Sequence, residues 1–548
     1  SIVISGSVII SSFAALTFTP MLATKLLIKR EKQNWFYTKT EPFFEGMNRW
    51  YSRSLAAFLR KRWLALPFTF ITICLIGFLW NAIPAEMAPL EDRSQISINT
   101  RGAEGVTYEY IRDYTEDINQ LVDSILPDAE AVTARVSSGS GNVRITLKDM
   151  KDRDYTQMEV AEKISKAVQK KTMARSFVQQ QSSFGGRRGS MPVQYVLQAT
   201  NLEKLQEVLP QFMAKVYENP VFQMADVDLK FSKPEARIKI NRDKASVMGV
   251  STKNIAQTLQ YGLSGQRMGY FYMNGKQYEI LGEINRQQRN KPADLKAIYV
   301  RSSSGDMIQL DNLIELESGI APPKLYRYNR FVSATISAGL ADGKTIGQGL
   351  DEMDKIAKET LDDTFRTALS GDSKEYRESS SSLMFAFILA ILLIYLILAA
   401  QFESFKDPLI IMLTVPLAIA GALVFMYFGD ITMNIFSQIG IIMLIGLVAK
   451  NGILIVEFAN QKQEAGEDKM SAIKDAALQR LRPILMTSAS TVLGLIPLAF
   501  ATGEGCNQRI AMGTAVVGGM VVSTLLTMYI VPAIYSYIST NRIKKLQE

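Results

Sequence analysis

Apolar residues in this 548-residue chain gather into long runs near both ends, and that distribution limits the fold more than any other feature. A helix needs about 20 consecutive, mostly apolar residues to cross a bilayer. Seven segments qualify: 3–28, 63–84, 380–400, 407–428, 434–459, 483–502 and 509–538. Residues 85–379 between them read as a water-soluble protein, so several domains are expected. The first run lacks the basic start and small-residue cleavage site of a signal peptide and is read as a helix. It begins without an initiator methionine, and the chain is expected to be part of a longer protein.

The net charge of +8 lies mostly beside the apolar runs, and no Lys/Arg-rich domain also offers stacking aromatics, so nucleic-acid binding is a poor explanation. Basic residues mark Lys25–Arg62, the 460–482 loop and the tail 539–548, with Arg542, Lys544 and Lys545. The positive-inside rule puts all three in the cytoplasm and residues 85–379 outside. In 29–62, Phe43, Met47, Trp50/Tyr51, Leu55 and Phe58/Leu59 recur at helical spacing opposite Arg49, Arg53 and Arg60. This predicts an amphipathic helix in the membrane interface, with a short soluble core helix as the alternative. The chain has no histidine, which removes imidazole metal sites and every Ser-His or Cys-His pair. Cys74 and Cys506 fit neither a disulfide framework nor a metal cluster, and Cys74 is expected simply to pack. No cofactor or metal is expected. Without a G-x-S-x-G nucleophile motif in the soluble region, an anchored enzyme is disfavoured.

The soluble region repeats a strand-helix-strand pattern. Ser94–Asn99, Ala129–Val136, Val143–Leu147 and Arg175–Gln180 read as strands, with helices at Thr107–Leu126 and Met158–Gln169. Val193–Ala199, Leu202–Tyr217, Ala225–Phe231 and Ala236–Ile240 begin the pattern again. Open-faced α/β sandwiches are predicted. After residue 262 short strands take over, with a hairpin signal at Asn274-Gly275. Strand and helix return at Phe331–Gly339 and Thr345–Leu361. Ser182–Ser190 reads as a flexible loop.

Lys450 sits near the middle of NIFSQIGIIMLIGLVAKNGILIVEFAN (434–460), with Glu457 two turns on. A lysine at membrane depth costs ~2.5–3.5 kcal/mol on insertion scales, so it faces a bundle interior or a wet path. A structural ion pair or a snorkelling lysine is the plain alternative. Arg480 and Thr487, seven residues apart, share a helical face, and Ser488, Ser490 and Thr491 add hydroxyls. Such hydroxyls often bond only the carbonyl one turn back. Together with Lys450 they could line one hydrated path that carries ions or protons. Ala511, Ala515, Gly519 and Ser523, like Ala418 and Ala422, form small-residue stripes for close helix packing.

The segments GLVAKNGILIVEFA (446–459) and RLRPILMTS (480–488) closely resemble helices ten and eleven of resistance-nodulation-division (RND) efflux pumps, in the AcrB-like hydrophobe/amphiphile branch. LTFTP (16–20), AAQFES (399–404) and VPLA (415–418) agree with neighbouring signatures. The resemblance covers the whole chain and aligns it with the C-terminal half of such a pump, helices six to twelve. It implies a seven-span α-helical transmembrane bundle plus an α+β periplasmic domain of ferredoxin-like βαβ porter subdomains with a β-rich docking insertion.

By position, helix six would be 1–28, the cytoplasmic loop with its interfacial helix 29–62 and helix seven 63–84. A PC1-like porter subdomain would be 85–190, and a PC2-like one 191–240 with 324–372. A DC-like docking subdomain would be 241–323, helices eight to twelve 380–538, and a cytoplasmic tail 539–548. Lys450, Arg480 and Thr487 match the family's proton-relay residues, with Asn451, Glu457 and Ser488 adjacent. Arg144, Arg187 and Arg188 are candidates for touching substrate.

The resemblance further implies a homotrimer in the bacterial inner membrane, driven by proton influx. Its partners would be the N-terminal half of the same pump, a periplasmic adaptor, an outer-membrane channel, the lipid bilayer and amphiphilic small-molecule substrates. The carboxylates that answer Lys450 would lie on helix four, outside this chain. Ser137–Asn142 (SSGSGN) stands where multidrug members carry a longer, phenylalanine-rich loop, which puts a deep aromatic pocket in doubt. A heavy-metal exporter of the same superfamily is the second reading, although the 24 methionines are scattered. A non-transporting scaffold is the third, and Lys450 argues against it.

Overall fold

The computed structural model describes residues 2–26, 35–180, 191–320, 324–341 and 343–539. Arg187, Arg188, the loop Ser182–Ser190 and the basic tail residues lie outside the described residues. The chain divides into two compact units, Ser1–Ile83 with Ser382–Ala501 and Gln508–Glu548, and Pro84–Ser381 with Thr502–Asn507.

The first unit opens with α1 (Ile2–Leu26), α2 (Trp35–Arg60) and α3 (Ala65–Ala82). The apolar face expected of α2 divides in two. Tyr51, Leu55 and Leu59 are buried in the bundle core, whereas Phe43 and Trp50 are exposed. The Tyr51 hydroxyl donates to the Met528 carbonyl at 2.6 Å, and burial raises its pKa far above the usual phenol range. Cys74, expected to pack, is instead exposed on α3. An apolar sequence does not distinguish a helix face turned outward from one turned inward when the surrounding medium is lipid.

In the second unit, β1 (Gln95–Arg101), α4 (Tyr108–Ile125), β2 (Ala131–Ser137), β3 (Ser140–Thr146), α5 (Gln157–Val168) and β4 (Arg175–Gln180) form one sandwich. Its antiparallel sheet runs β2-β3-β1-β4. Alternate residues Ile96, Ile98, Val143 and Ile145 face Tyr114, Ile118, Val122 and Ile164 of the helices. Thr107 caps α4 through the Tyr110 N–H, and a Thr156/Glu159 capping box starts α5. β2 and β3 meet in a tight hairpin, with Ser137 opposite Ser140 and Gly139 at φ +79°.

A second sandwich starts with β5 (Val193–Ala199), α6 (Leu202–Glu218) and β6 (Phe222–Val227). It is interrupted by an insertion made of β7 (Pro234–Ile240), α7 (Arg242–Val247), α8 (Thr252–Leu263), β8 (Gln266–Met273), β9 (Lys276–Gly282), β10 (Tyr299–Arg301), β11 (Met307–Gln309) and β12 (Ile314–Ile320). The sandwich then resumes with β13 (Tyr326–Tyr328), β14 (Phe331–Leu340), α9 (Ile346–Thr360) and β15 (Arg366–Leu369). Its five-stranded sheet runs β13-β14-β5-β15, with β6 also paired to β14. The strand at 236–240 does not continue the β5 pattern: β7 pairs with β12 in a separate two-stranded sheet. Its register with Ile314–Ile320, about 75 residues later, is a long-range pairing that local alternation cannot reveal. β8 and β9 turn at Asn274-Gly275, φ +51° and +74°, as the hairpin signal predicts.

The chain ends with α10 (Gly371–Phe402), α11 (Lys406–Met412), α12 (Thr414–Phe428), α13 (Ile435–Glu464), α14 (Lys469–Ala499) and α15 (Cys506–Ile538). Among the described residues, seven helical segments are long and apolar enough to cross a membrane. α10 starts nine and α14 fourteen residues before the expected spans at 380 and 483, because their first turns are polar and hydropathy registers only the apolar stretch.

Candidate functional site

Asn434 starts α13 with its side chain accepting from the Phe436 and Ser437 N–H groups at 3.0 Å. The short connection Ala465–Asp468 makes α13 and α14 antiparallel neighbours. Asn451 of α13 and Ser488 of α14 face each other, Nδ2 donating to Oγ at 3.2 Å. Thr524 of α15 completes the cluster, 3.4 Å from Asn451 Nδ2 and 3.2 Å from Ser488 Oγ. All three are buried.

Two turns toward the α13–α14 connection, the Arg480 guanidinium lies 4.5 Å from the centroid of Phe458. Lys450 is half-buried at the midpoint of α13 and makes no hydrogen bond or ion pair among the described residues. The Thr487 hydroxyl bonds the Ile484 carbonyl at 3.1 Å, and Thr491 bonds the Thr487 carbonyl at 2.8 Å. Both obey the one-turn-back habit of membrane hydroxyls. Glu457 accepts from Gln461 on its own helix at 3.0 Å.

Near the α13–α14 connection, Asn460 donates to Asp407 at 3.2 Å and accepts from the Tyr535 hydroxyl at 2.6 Å. Gln463 donates to that hydroxyl at 2.6 Å. Small residues let these helices approach. A Cβ on Gly519 would stand 2.1 Å from Leu444 Cδ2 and 2.9 Å from the Ala418 carbonyl oxygen. Ala511, Ala515 and Ser523 are buried along the same stripe.

The soluble unit holds a cleft of about 520 Å³ between its two sandwiches. Met158 and Glu162 of α5, Phe177 and Gln179 of β4, and Met224 and Leu340 of the second sheet line it. Arg144 is exposed on β3, away from this lining. At the other end of β4 the sandwiches are tied through buried Asp226, which accepts from Arg101 at 2.9 Å and pairs with Lys230 at 3.0 Å. Arg286 ties the insertion to Glu109 of α4, and that hydrogen bond lowers the Glu109 carboxyl from 4.5 to about 2. The sequence singled out Lys450, Arg480 and Thr487 but missed Thr524, Phe458 and Asp226. A hydroxyl cluster in the apolar run at Ser523, Thr524 and Thr527 was the available signal for the first. An ordinary phenylalanine or aspartate carries none.

The chain thus joins, in sequence, an apolar helical bundle with a polar seam among its helices to α/β sandwiches. The chain belongs to the AcrB/AcrD/AcrF family, whose model matches residues 1–539. It is similar to an uncharacterized transporter of Haemophilus influenzae, 30% identical over 556 residues, covering 99% of this chain and 53% of the relative. The chain thus spans about half the length of that curated relative.

Proposed function

We propose that the chain serves as the C-terminal half of a proton-driven exporter of amphiphilic or hydrophobic small molecules. It would work as a homotrimer in the inner membrane, with an adaptor and an outer-membrane channel. The observation that carries this reading is Lys450, a half-buried ammonium at the centre of an apolar helix with no counter-charge among the described residues. A cation so placed needs an anionic partner or water. On this reading the partner is a carboxylate pair supplied by the N-terminal half. When those acids are ionised they hold Lys450, and when they take up protons the attraction vanishes and the helices rearrange. Arg480 places a guanidinium toward the α13–α14 connection, and Thr487 offers a hydroxyl near the level of Lys450.

The cleft between the sandwiches is the candidate substrate path, since it is large enough for a small molecule and mixes Met and Phe with Gln and Glu. The tight β2–β3 hairpin supplies no aromatic side chain to a pocket, which favours a shallow, mixed-polarity site over a deep aromatic one. The test is Lys450→Met in the full-length protein. Export should be abolished while membrane expression and trimer formation stay near normal. Export at the unsubstituted rate would sink the relay assignment.

A further inference from the structure

The Asn451–Ser488–Thr524 cluster lies one residue beyond two of the proposed relay groups on their helices, and helix geometry gives that offset a consequence. Successive residues are about 100° apart around a helix axis. On two antiparallel helices, the residues immediately preceding a facing pair rotate to the same side of the plane that holds both axes. Asn451 and Ser488 are such a facing pair, joined at 3.2 Å. Lys450 and Thr487 therefore project from the same side of the α13–α14 pair, within about 3 Å of each other in depth. Phe458 and Arg480 form a second rung of the same antiparallel register, seven residues on in α13 and eight back in α14.

We infer that Asn451, Ser488 and Thr524 are positioning residues, which lock the register of α13 against α14 and α15 so that Lys450 and Thr487 are presented together. This rests on the relay reading of Lys450 and goes beyond it by assigning the group that aims the lysine. Apolar packing sets how closely these helices approach, but it is less directional than a hydrogen bond in selecting one register. One amide shared between two hydroxyls does select one, since a shift by a turn leaves buried polar groups unmatched. Thr524 brings α15 into the same lock, so α15 shares the constraint without itself approaching Lys450 in sequence. The polar atoms that fix this arrangement are all neutral, so the lock persists whether or not the charges nearby titrate.

The test uses Asn451→Leu, Thr524→Val and Thr524→Ser in the full-length protein. Leucine and valine keep the branching of asparagine and threonine and remove hydrogen bonding, whereas serine keeps the hydroxyl. Asn451→Leu and Thr524→Val should each lower the maximal export rate roughly tenfold, the rate equivalent of one buried hydrogen bond. The half-saturating substrate concentration and the amount of folded protein should not change, because the lock acts on turnover and not on binding. Thr524→Ser should restore the rate. Unchanged export in both apolar variants, or a loss that merely tracks the amount of folded protein and is not restored by serine, would overturn the inference. Lys450→Met separates the two readings: its inactivity together with an unaffected Asn451→Leu protein removes only the positioning role, whereas its full activity removes the relay itself.

Discussion

Lys450 and Arg153 show two ways in which this protein holds a cation shielded from water. The Arg153 side chain is fully buried, 2.5 Å from Asp92, and it also donates to the Tyr155 carbonyl at 3.1 Å and to Ser94 Oγ at 3.3 Å. Asp92 in turn accepts from the Ser94 and Gln157 N–H groups, so the pair welds the entry of β1 to the start of α5. Every charge there has partners within the fold, which is the signature of a structural role. Arg153→Met should therefore destabilise the soluble unit by about 3 kcal/mol, because it strands Asp92. Thermal unfolding of the purified protein measures this, and an unchanged transition would mean the pair is dispensable. Lys450, half-buried and without such partners among the described residues, calls for a partner of another kind.

The Glu109–Arg286 tie adds a pH dependence. A carboxyl lowered from 4.5 to about 2 contributes stability that is complete above 4.5 and lost as the pH falls through that interval. Hydrogen-exchange protection over Asn285–Ala297, taken relative to the intrinsic rate at each pH, should fall between those values, and Glu109→Gln should lower it at neutral pH. Equal protection in that variant at neutral pH would show that the tie does not hold the segment.

At the level of elements, packing depends on residue size more than propensity. Gly519 stands against Leu444 and the Ala418 carbonyl, Gly518 against Phe425, and Gly440 against the Met512 carbonyl. Gly519→Val has no room, since the carbonyl at 2.9 Å belongs to a helix backbone that cannot swing aside. It should separate α12, α13 and α15 and lower the melting temperature in detergent by several degrees, and wild-type melting would refute the close approach.

That stripe was legible in the sequence because small residues at helical spacing have one physical use in an apolar helix. The sandwich strands were legible as short runs that hold Val, Phe or Tyr, and the structure places strands at Val193–Ala199 and Arg175–Gln180. The features that could not be read depended on distant partners. The pairing of β7 with β12, the outward face of Cys74 and the Arg480–Phe458 stack are each set by a neighbour far along the chain or by the surrounding medium. The candidate site divides in the same way. Lys450 announces itself by its cost, whereas Thr524 looks like any small hydroxyl until Asn451 and Ser488 are seen beside it.

At the scale of the whole molecule, the insertion between β6 and β13 raises the question of what covers it. Consecutive strand residues point to opposite faces, yet Tyr272 and Met273 of β8 are 77% and 50% exposed, and Leu281 of β9 is 61% exposed. A two-stranded ribbon with aromatic and aliphatic side chains open on both faces is marginal in water by itself. Its tight Asn274-Gly275 turn fixes the register all the same, so the ribbon is preformed for contact and does not need to fold on binding. In the proposed assembly its partner is protein: another subunit, the adaptor or the outer-membrane channel. A small-molecule substrate would need a concave pocket, and a ribbon open on both faces offers none. Tyr272→Cys and Ser303→Cys, each introduced after the native Cys74 and Cys506 are replaced by serine, should crosslink in cells to a protein of that assembly. Removing the ribbon's apolar contacts by Met273→Ser with Leu281→Ser should weaken assembly while leaving the cleft intact. Protection of both cysteines by substrate, or crosslinking to lipid alone, would place the insertion on the substrate path or at the membrane surface and refute a docking role.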